Sequence, residues 1–206
     1  QPTPQGDRLY QEASELAPGG GAASVRYNRA LEKTLYLSRG DGARIWDVDG
    51  NEYLDFCMSH GASILGHNHP RVREALERAI EMGVICSYET EHHVALARKI
   101  SEMVPGAEMV RFSGSGTETV MHTVRLARAY TGKPKLLKFE GHFHGYSDAV
   151  YWSSAPPLDH AGPADAPVPY CQSAGIPADL SDHLIVVPFN DPEALEDAVR
   201  RNREDL

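Results

Sequence analysis

The most constraining feature of this 206-residue chain is a short apolar segment that leads into a glycine-rich turn and then a helix. The apolar segment is MVRF at residues 109–112, the turn is Ser-Gly-Ser-Gly-Thr at residues 113–117, and helical spacing continues to about Tyr130. This order predicts a strand, a turn and a helix. Small residues in such a turn let backbone N–H groups converge, and the positive end of the helix dipole adds to them. The turn is therefore a candidate phosphate site.

The same turn also has a simpler interpretation. No Gly-Lys-Ser or Gly-Lys-Thr follows it, and its spacing is not that of a dinucleotide fingerprint, so nucleoside triphosphates and dinucleotides are disfavoured. Ser115 or Thr117 could instead cap an ordinary helix, with Glu118 in its first turn. From the residues alone, a phosphate site and a plain capped helix both remain open.

A second candidate site is the segment Glu-Gly-His-Phe-His-Gly at residues 140–145. It follows the apolar run LLKF at residues 136–139, which predicts a buried strand. Open α/β sheets bind ligands at the carboxyl ends of their strands, so a ligand is expected here. Phe143 lies between two glycines and is expected to be exposed enough to lie flat against an aromatic ligand.

Two histidine pairs raise the question of a metal site. His142 and His144 form one pair, and His67 and His69 form the other. Neither pair has a third histidine or carboxylate at a recognisable zinc spacing, and isolated histidines more often hydrogen-bond within loops. No metal site is predicted, and we do not favour a metal hydrolase.

The order of the predicted elements indicates the α/β class with a parallel sheet. Helical spacing occurs at residues 8–16, from 70, at 91–103 and at 192–203, and apolar strands fall at 136–139 and 184–189. Residues 43–56 alternate around Asp49-Gly50, which predicts a β-hairpin. The long stretch 153–182, rich in Pro, Ala, Gly and Ser, predicts either a disordered linker or a mobile lid.

Composition excludes several kinds of partner. The net charge is −9 and the isoelectric point is near 5.5, whereas nucleic-acid binding needs concentrated Lys and Arg, so no nucleic acid is expected. No stretch approaches the roughly 18 apolar residues that span a bilayer, so no membrane partner is expected. The three cysteines, Cys57, Cys86 and Cys171, show neither disulfide nor metal spacing, which fits a cytoplasmic protein.

Four segments resemble the class III aminotransferases in order and spacing, and most of all the glutamate-1-semialdehyde 2,1-aminomutases within that class. They are ARIWDVDGNEYLDF, LGHNHPRV, MVRFSGSGTETVMHTVRLARAYTG and KLLKFEGHFHG. The resemblance runs from about Leu16 to the last residue. It implies fold type I of the pyridoxal 5′-phosphate (PLP) dependent transferases. Residues 1–60 would be an N-terminal small-domain segment, and residues 61–206 the first, incomplete part of the large domain.

The resemblance also implies a site for PLP as the cofactor. Six residues would contact it: Ser115, Gly116, Thr117, Phe143, His144 and Gly145. The first three would hold the phosphate, and the phenylalanine would stack on the pyridine ring. The stretch 153–182 would be a gating loop that excludes water from the reacting centre.

On the substrate side the resemblance implies roles for Arg26, Ser59 and His60. Arg26 stands where an arginine of the aminomutases binds the substrate carboxylate, which a guanidinium can grip with two hydrogen bonds; a solvated surface arginine is the alternative. His60 stands where the aminomutases have Trp. This departure argues against glutamate-1-semialdehyde and leaves a β-amino acid, another amino acid or an amine as the substrate.

PLP chemistry also requires a Schiff-base lysine and an acidic group on the pyridine nitrogen. In the family both come later in the chain. The lysines present here occupy positions that the family does not use for this purpose: Lys33, Lys99, Lys133, Lys135 and Lys138. We therefore expect no catalytic lysine in this sequence and dependence on a C-terminal half, on the same longer chain or on a second polypeptide.

These observations lead to one enzyme hypothesis and one alternative. The hypothesis is the N-terminal half of the active site of a PLP-dependent aminotransferase or aminomutase. It would act on a small-molecule amino acid or amine and a carbonyl acceptor, within at least a dimer of complete units. The alternative is a non-catalytic assembly subunit that binds PLP or another phosphate ligand.

Overall fold

The computed structural model describes residues 2–83 and 87–206. The chain forms two compact units, residues 1–90 and 91–206. The division after residue 60 that the resemblance implies stays a prediction. Cys86 lies outside the described residues. Within these residues, no helix has both the length and the apolar character needed to cross a membrane.

Among its described residues, the first unit contains two α-helices and two small antiparallel sheets. Its elements are α1 (Pro4–Leu16), β1 (Tyr27–Asn28), β2 (Lys33–Thr34), β3 (Leu37–Asp41), β4 (Arg44–Asp47), β5 (Glu52–Leu54) and α2 (Pro70–Glu81). β1 pairs with β2, and β4 lies between β3 and β5. Both predicted helices and the predicted hairpin are confirmed, although α1 begins four residues earlier than predicted. β3 is a third strand that the sequence analysis missed.

The turn of the hairpin is organised by a buried carboxylate. Asp47 is 1% exposed. Its Oδ1 accepts hydrogen bonds from the N–H groups of Asp49 and Asn51 at 3.0 and 2.8 Å. Its Oδ2 accepts from Asn51 Nδ2 at 2.9 Å and from the Tyr53 hydroxyl at 2.8 Å. Burial by itself would raise the pKa of Asp47, but the hydrogen bonds from Asn51 and Tyr53 outweigh it and hold that pKa below its ordinary value.

The second unit is built on a parallel strand pair. Its elements are α3 (Glu91–Met103), α4 (Gly116–Thr131), β6 (Leu136–Phe139), β7 (Leu184–Val187) and α5 (Pro192–Arg201). β6 and β7 pair in parallel, and the buried core lies beside them, around Trp152, Leu184 and Val186. The predicted helices, the predicted strands at 136–139 and 184–189 and the parallel sheet are confirmed. β7 ends two residues earlier than predicted, because Pro188 has no N–H group to continue the ladder.

The predicted strand at residues 109–112 is wrong. The structure shows neither helix nor strand there, and Met109 is 93% exposed. A strand needs a neighbour to satisfy its backbone N–H and C=O groups. The strands of the described residues pair among themselves, and none pairs with this segment. An apolar run without a partner therefore remains irregular.

The long stretch 153–182 is fixed at its base. Apart from a 3₁₀ turn at Ala178–His183, it has no helix or strand. Ser153 is fully buried with a φ of +47°. Its N–H donates to the Tyr170 carbonyl at 2.7 Å, and its hydroxyl bonds with Val168 O at 3.2 Å and Tyr170 N at 2.8 Å. Leu158, between these anchors, is 95% exposed. The stretch thus combines an ordered base with an exposed tip, which a wholly disordered linker would not do.

We expect Asp47→Ala to lower the free energy of unfolding by about 3 kcal/mol, because two N–H groups, an amide and a hydroxyl lose their acceptor. Asp41→Ala, at the exposed end of β3, is the control and should cost less than about 0.5 kcal/mol. Because the folded-state pKa of Asp47 is lowered, its stabilisation is present above the ordinary Asp pKa and is lost as pH falls through the folded-state value. Urea unfolding at several pH values measures both effects, and equal losses in the two variants would contradict this role.

Candidate active site

The candidate cofactor site begins where residues 113–117 turn into α4. Ser115 is the N-cap of the helix, and its hydroxyl oxygen accepts the N–H of Glu118 at 3.2 Å. Glu118 in turn accepts the N–H of Gly114 through Oε2 at 2.7 Å. These two bonds, one from Glu118 to the N-cap and one from Gly114 to Glu118, fix the turn. The capping interpretation of Ser115 is therefore confirmed, and Glu118 has a structural contact in the turn.

The cap leaves two backbone donors available. In the part of the chain that the structure describes, the N–H groups of Gly116 and Thr117 have no hydrogen-bond acceptor. They are the first two N–H groups of α4, where the helix dipole favours an anion. Apart from its chain neighbours and the backbone of α4, no described atom lies within 4 Å of the position that a Cβ on Gly116 would occupy, so there is open space beside Gly116. A phosphate fits these donors, and capping by Ser115 does not compete with it.

The loop that carries Phe143 touches this turn directly. A Cβ on Gly145 would lie 2.6 Å from Thr117 Oγ1 and 2.7 Å from Thr117 Cα, and Gly145 has a φ of +96°. The N–H of Tyr146 donates to Thr117 Oγ1 at 3.3 Å. Because the hydroxyl oxygen accepts this bond, its hydrogen stays available to a ligand oxygen. The structure thus joins the two segments that the sequence analysis treated as separate candidates.

Phe143 is oriented by its neighbours but remains accessible. Its ring centroid lies 5.0 Å from that of Tyr146 at an interplanar angle of 70°, and 6.1 Å from that of Tyr151 at 87°. The side chain is 55% exposed. These edge contacts hold the ring, and its exposed part can stack on an aromatic ligand.

Two titratable side chains beside this loop are His144 and Lys138, and the sequence analysis gave Lys138 no role. Burial, with Lys138 and His142 nearby, lowers the pKa of His144 below its ordinary value and so favours the neutral imidazole. Lys138 is 5% exposed, and burial lowers its pKa to about 8. The signal that could have identified Lys138 is its place inside the apolar run LLKF, where a charged side chain has no solvent.

The predicted substrate residues belong to the first unit. Arg26 ends a 3₁₀ turn, Ser24–Arg26, and its side chain is exposed. No carboxylate of the described residues forms an ion pair with it. Its guanidinium is therefore accessible to a carboxylate from outside the chain.

Ser59 and His60 lie in a left-handed turn. Met58, Ser59 and His60 have φ values of 45°, 54° and 55°, a conformation that costs non-glycine residues of order 1 kcal/mol or more each. Asp55, which precedes the turn, accepts the N–H of Met58 at 3.0 Å and lies 2.7 Å from His67 Nε2. The hydrogen bonds from His67 and Met58 hold the pKa of Asp55 below its usual value. Sequence reasoning missed Asp55 and His67 as the groups that fix this turn.

His67 and His142, one from each histidine pair, contact other side chains. His67 pairs with Asp55, and the ring of His142 lies 5.4 Å from that of Phe139 and 4.8 Å from that of Phe189. Across residues 2–83 and 87–206, no three His, Cys, Asp or Glu side chains converge as metal ligands.

Comparison with known proteins decides the family. The chain matches the class-III aminotransferase family over residues 26–174. It is a member of that family. It is 43% identical over 201 residues to the glutamate-1-semialdehyde 2,1-aminomutase of Syntrophus aciditrophicus, a match that covers 97% of this chain and 45% of that protein. The chain spans about half the length of the curated relatives it matches.

Solved structures agree with this assignment. The chain is similar to an omega-transaminase from Sphaerobacter thermophilus, with a TM-score of 0.90, 37% identity and coverage of 100% of this chain and 46% of that chain. It is also similar to a transaminase with PLP bound, with a TM-score of 0.88, 36% identity and the same coverage. These neighbours confirm the predicted α/β, aminotransferase-like fold of the class III aminotransferase family.

We call the loop at residues 140–145, which carries Phe143, the aromatic loop. We expect Gly145→Ala to separate this loop from Thr117, because the new Cβ would lie too close to Thr117. Gly141→Ala is the matched control, since Gly141 also has a positive φ, +77°, but no atom within 4 Å of its Cβ position. Hydrogen–deuterium exchange of the peptide that contains Tyr146 should become about tenfold faster in the first variant only. Equal acceleration in both variants would mean that backbone conformation, not the contact with Thr117, holds the loop.

Proposed function

We propose that this chain provides the phosphate cradle and the ring-stacking loop of a PLP-dependent enzyme that transfers amino groups. One observation carries the proposal: the two available N–H groups of Gly116 and Thr117 adjoin the loop that presents Phe143. A plain phosphate ligand would use only the donors. A ligand with both a phosphate and an aromatic ring, as in the PLP-bound transaminase, would use both features.

Each group in this proposal has a defined task. The N–H groups of Gly116 and Thr117 and the Thr117 hydroxyl bind the phosphate, while Ser115 fixes the turn that presents them. Phe143 stacks on the pyridine ring, His144 lies beside it in the cofactor site, and Gly145 brings the loop against Thr117. PLP, when bound, supplies an electron-withdrawing ring that stabilises negative charge on the carbon bearing the amino group.

The proposed substrate is an amino acid or an amine, with a carbonyl compound as the acceptor. Arg26 grips the substrate carboxylate, since its exposed guanidinium has no ion-pair partner among the described residues. Ser59 and His60 contact the substrate from their left-handed turn, which Asp55 and His67 keep in place. A histidine where the aminomutases have Trp favours a substrate other than glutamate-1-semialdehyde.

The remaining chemistry is assigned to polypeptide beyond this chain. The relatives are about twice as long, and we place the PLP-binding lysine and the acidic partner of the pyridine nitrogen in the part that they have in addition. The complete units would associate at least as dimers, in the cytoplasm. The stretch 153–182 would gate the site, with its tip moving on the base fixed by Ser153.

The first test is spectroscopic and uses the complete protein that contains this sequence. With PLP it should absorb near the visible edge, and the band should shift when an amino donor is added. Thr117→Val should weaken PLP binding about tenfold, because it removes one hydrogen bond to a charged group. Thr123→Val, in the same helix, removes a hydroxyl that donates to the Thr119 carbonyl, away from the turn, and should leave binding unchanged. A protein that binds PLP but shows no shift with any donor would favour the non-catalytic alternative.

The second test concerns the substrate carboxylate. Arg26→Met should lower kcat/KM for an amino acid about 100-fold, because a charged hydrogen-bonding pair is lost. The same variant should retain kcat/KM for the corresponding amine, which has no carboxylate. Arg29→Met, three residues away and also exposed, is the control and should leave both values unchanged. Equal losses for the amino acid and the amine would contradict a carboxylate-binding role for Arg26.

A further inference from the structure

Lys138 is a buried ammonium group in an apolar strand. It is 5% exposed and lies in β6, whose other residues are two leucines and a phenylalanine. Its Nζ donates hydrogen bonds to the carbonyl oxygens of His142, at 2.8 Å, and Trp152. Burying an ammonium group is costly, and two carbonyl dipoles replace only part of its hydration. A leucine at this position would avoid that cost but could not donate these two hydrogen bonds.

The same two carbonyl groups have a second donor. Ser154 Oγ lies 3.2 Å from His142 O and 3.4 Å from Trp152 O, within reach of donating to either. We call the group formed by Lys138 Nζ, Ser154 Oγ and these two carbonyls the carbonyl clamp. It joins the strand β6, the aromatic loop and the start of the stretch 153–182. One further hydrogen bond, from Gly141 N to Ser153 O at 2.8 Å, links the loop to the start of this stretch.

The clamp holds one end of the aromatic loop. His142, whose carbonyl it binds, immediately precedes Phe143. The other end of the loop is held by the contacts of Gly145 and Tyr146 with Thr117. Phe143 thus lies between two fixed points that are three residues apart. Loss of either point would let its ring tilt or move relative to the phosphate cradle.

We propose that Lys138, with Ser154, is a positioning residue that sets the place of Phe143 against the pyridine ring of the cofactor. Lys138 itself touches neither the cofactor nor the substrate in this proposal. The inference rests on the proposed function, because it needs a cofactor ring for Phe143 to stack on. It goes beyond that function by assigning a role to a buried lysine and a serine outside the cofactor site. A purely structural role would give lower stability with an unchanged cofactor environment.

The test compares Lys138→Met, Lys138→Arg and Ser154→Ala in the complete protein loaded with PLP. The readout is the circular dichroism of the cofactor's visible band per mole of bound PLP, with the dissociation constant of PLP and the melting temperature measured in parallel. Lys138→Met should reduce this circular dichroism at least about twofold and weaken PLP binding about tenfold. Lys138→Arg, which keeps a charged donor, should restore part of the signal, and Ser154→Ala should reduce it less than Lys138→Met. Lys135→Met, which removes only a pairing with Asp205 and Asn202, is the control and should leave the band unchanged.

The possible results are distinguishable. If Lys138→Met lowers only the melting temperature and leaves the dichroism and PLP affinity as they are, Lys138 is structural and the inference is overturned. If Lys138→Met does not fold, Ser154→Ala decides: an unchanged band in that folded variant also overturns the inference, and a reduced band supports it. If the wild-type protein itself shows no PLP band, the proposed function is overturned. Changes that occur only in the variants test the role of Lys138 and leave the proposed function intact.

Discussion

The contact between Gly145 and Thr117 is the constraint on which the candidate cofactor site depends. Thr117 is the second residue of α4, so a loop that touches it is placed beside the available N–H groups of that helix. The contact requires glycine, because a Cβ would lie 2.6 Å from the Thr117 hydroxyl oxygen. Without it, an anion site and an exposed phenylalanine would be unrelated features. With it, they form one surface, and we propose that this surface binds a ligand that carries both a phosphate and a ring.

Local patterns predicted most of the second unit. α3 has the predicted bounds and β6 the predicted residues, because apolar spacing acts within a few residues of the chain. The strand predicted at residues 109–112 failed because a strand also needs a partner, and an apolar run contains no information about one. β3, in the first unit, was missed because it has a partner strand but no apolar pattern. Its five residues are mostly exposed and show no alternation, so only the pairing with β4 makes it a strand.

The residues proposed to touch PLP were identified from motifs and resemblance, whereas those that hold them in place were not. Ser153 shows why. It adopts a left-handed conformation that its sequence neighbours do not require, and it bonds with Tyr170, 17 residues away. Asp55 and His67 likewise act as a pair separated by 12 residues. A supporting residue has its role only through partners that are remote in sequence, so no local pattern reveals it. Lys138 differs from these residues, because a charged residue within an apolar strand is visible in the sequence.

Two charged residues, Asp47 and Lys138, are buried among the described residues, and they differ in a way that bears on function. At Asp47, four hydrogen bonds more than offset burial, and the ionised form is favoured in the folded state. At Lys138 burial dominates and lowers the pKa from 10.5 to about 8. Between these two pKa values the folded state binds fewer protons than the unfolded state, so stability rises with pH there. At neutral pH, below both values, the lysine is charged in both states and its burial carries the full cost. Hydrogen bonding thus stabilises the ionised Asp47 within its own turn. The ammonium group of Lys138 instead binds the backbone next to Phe143, and we propose that this contact is its contribution.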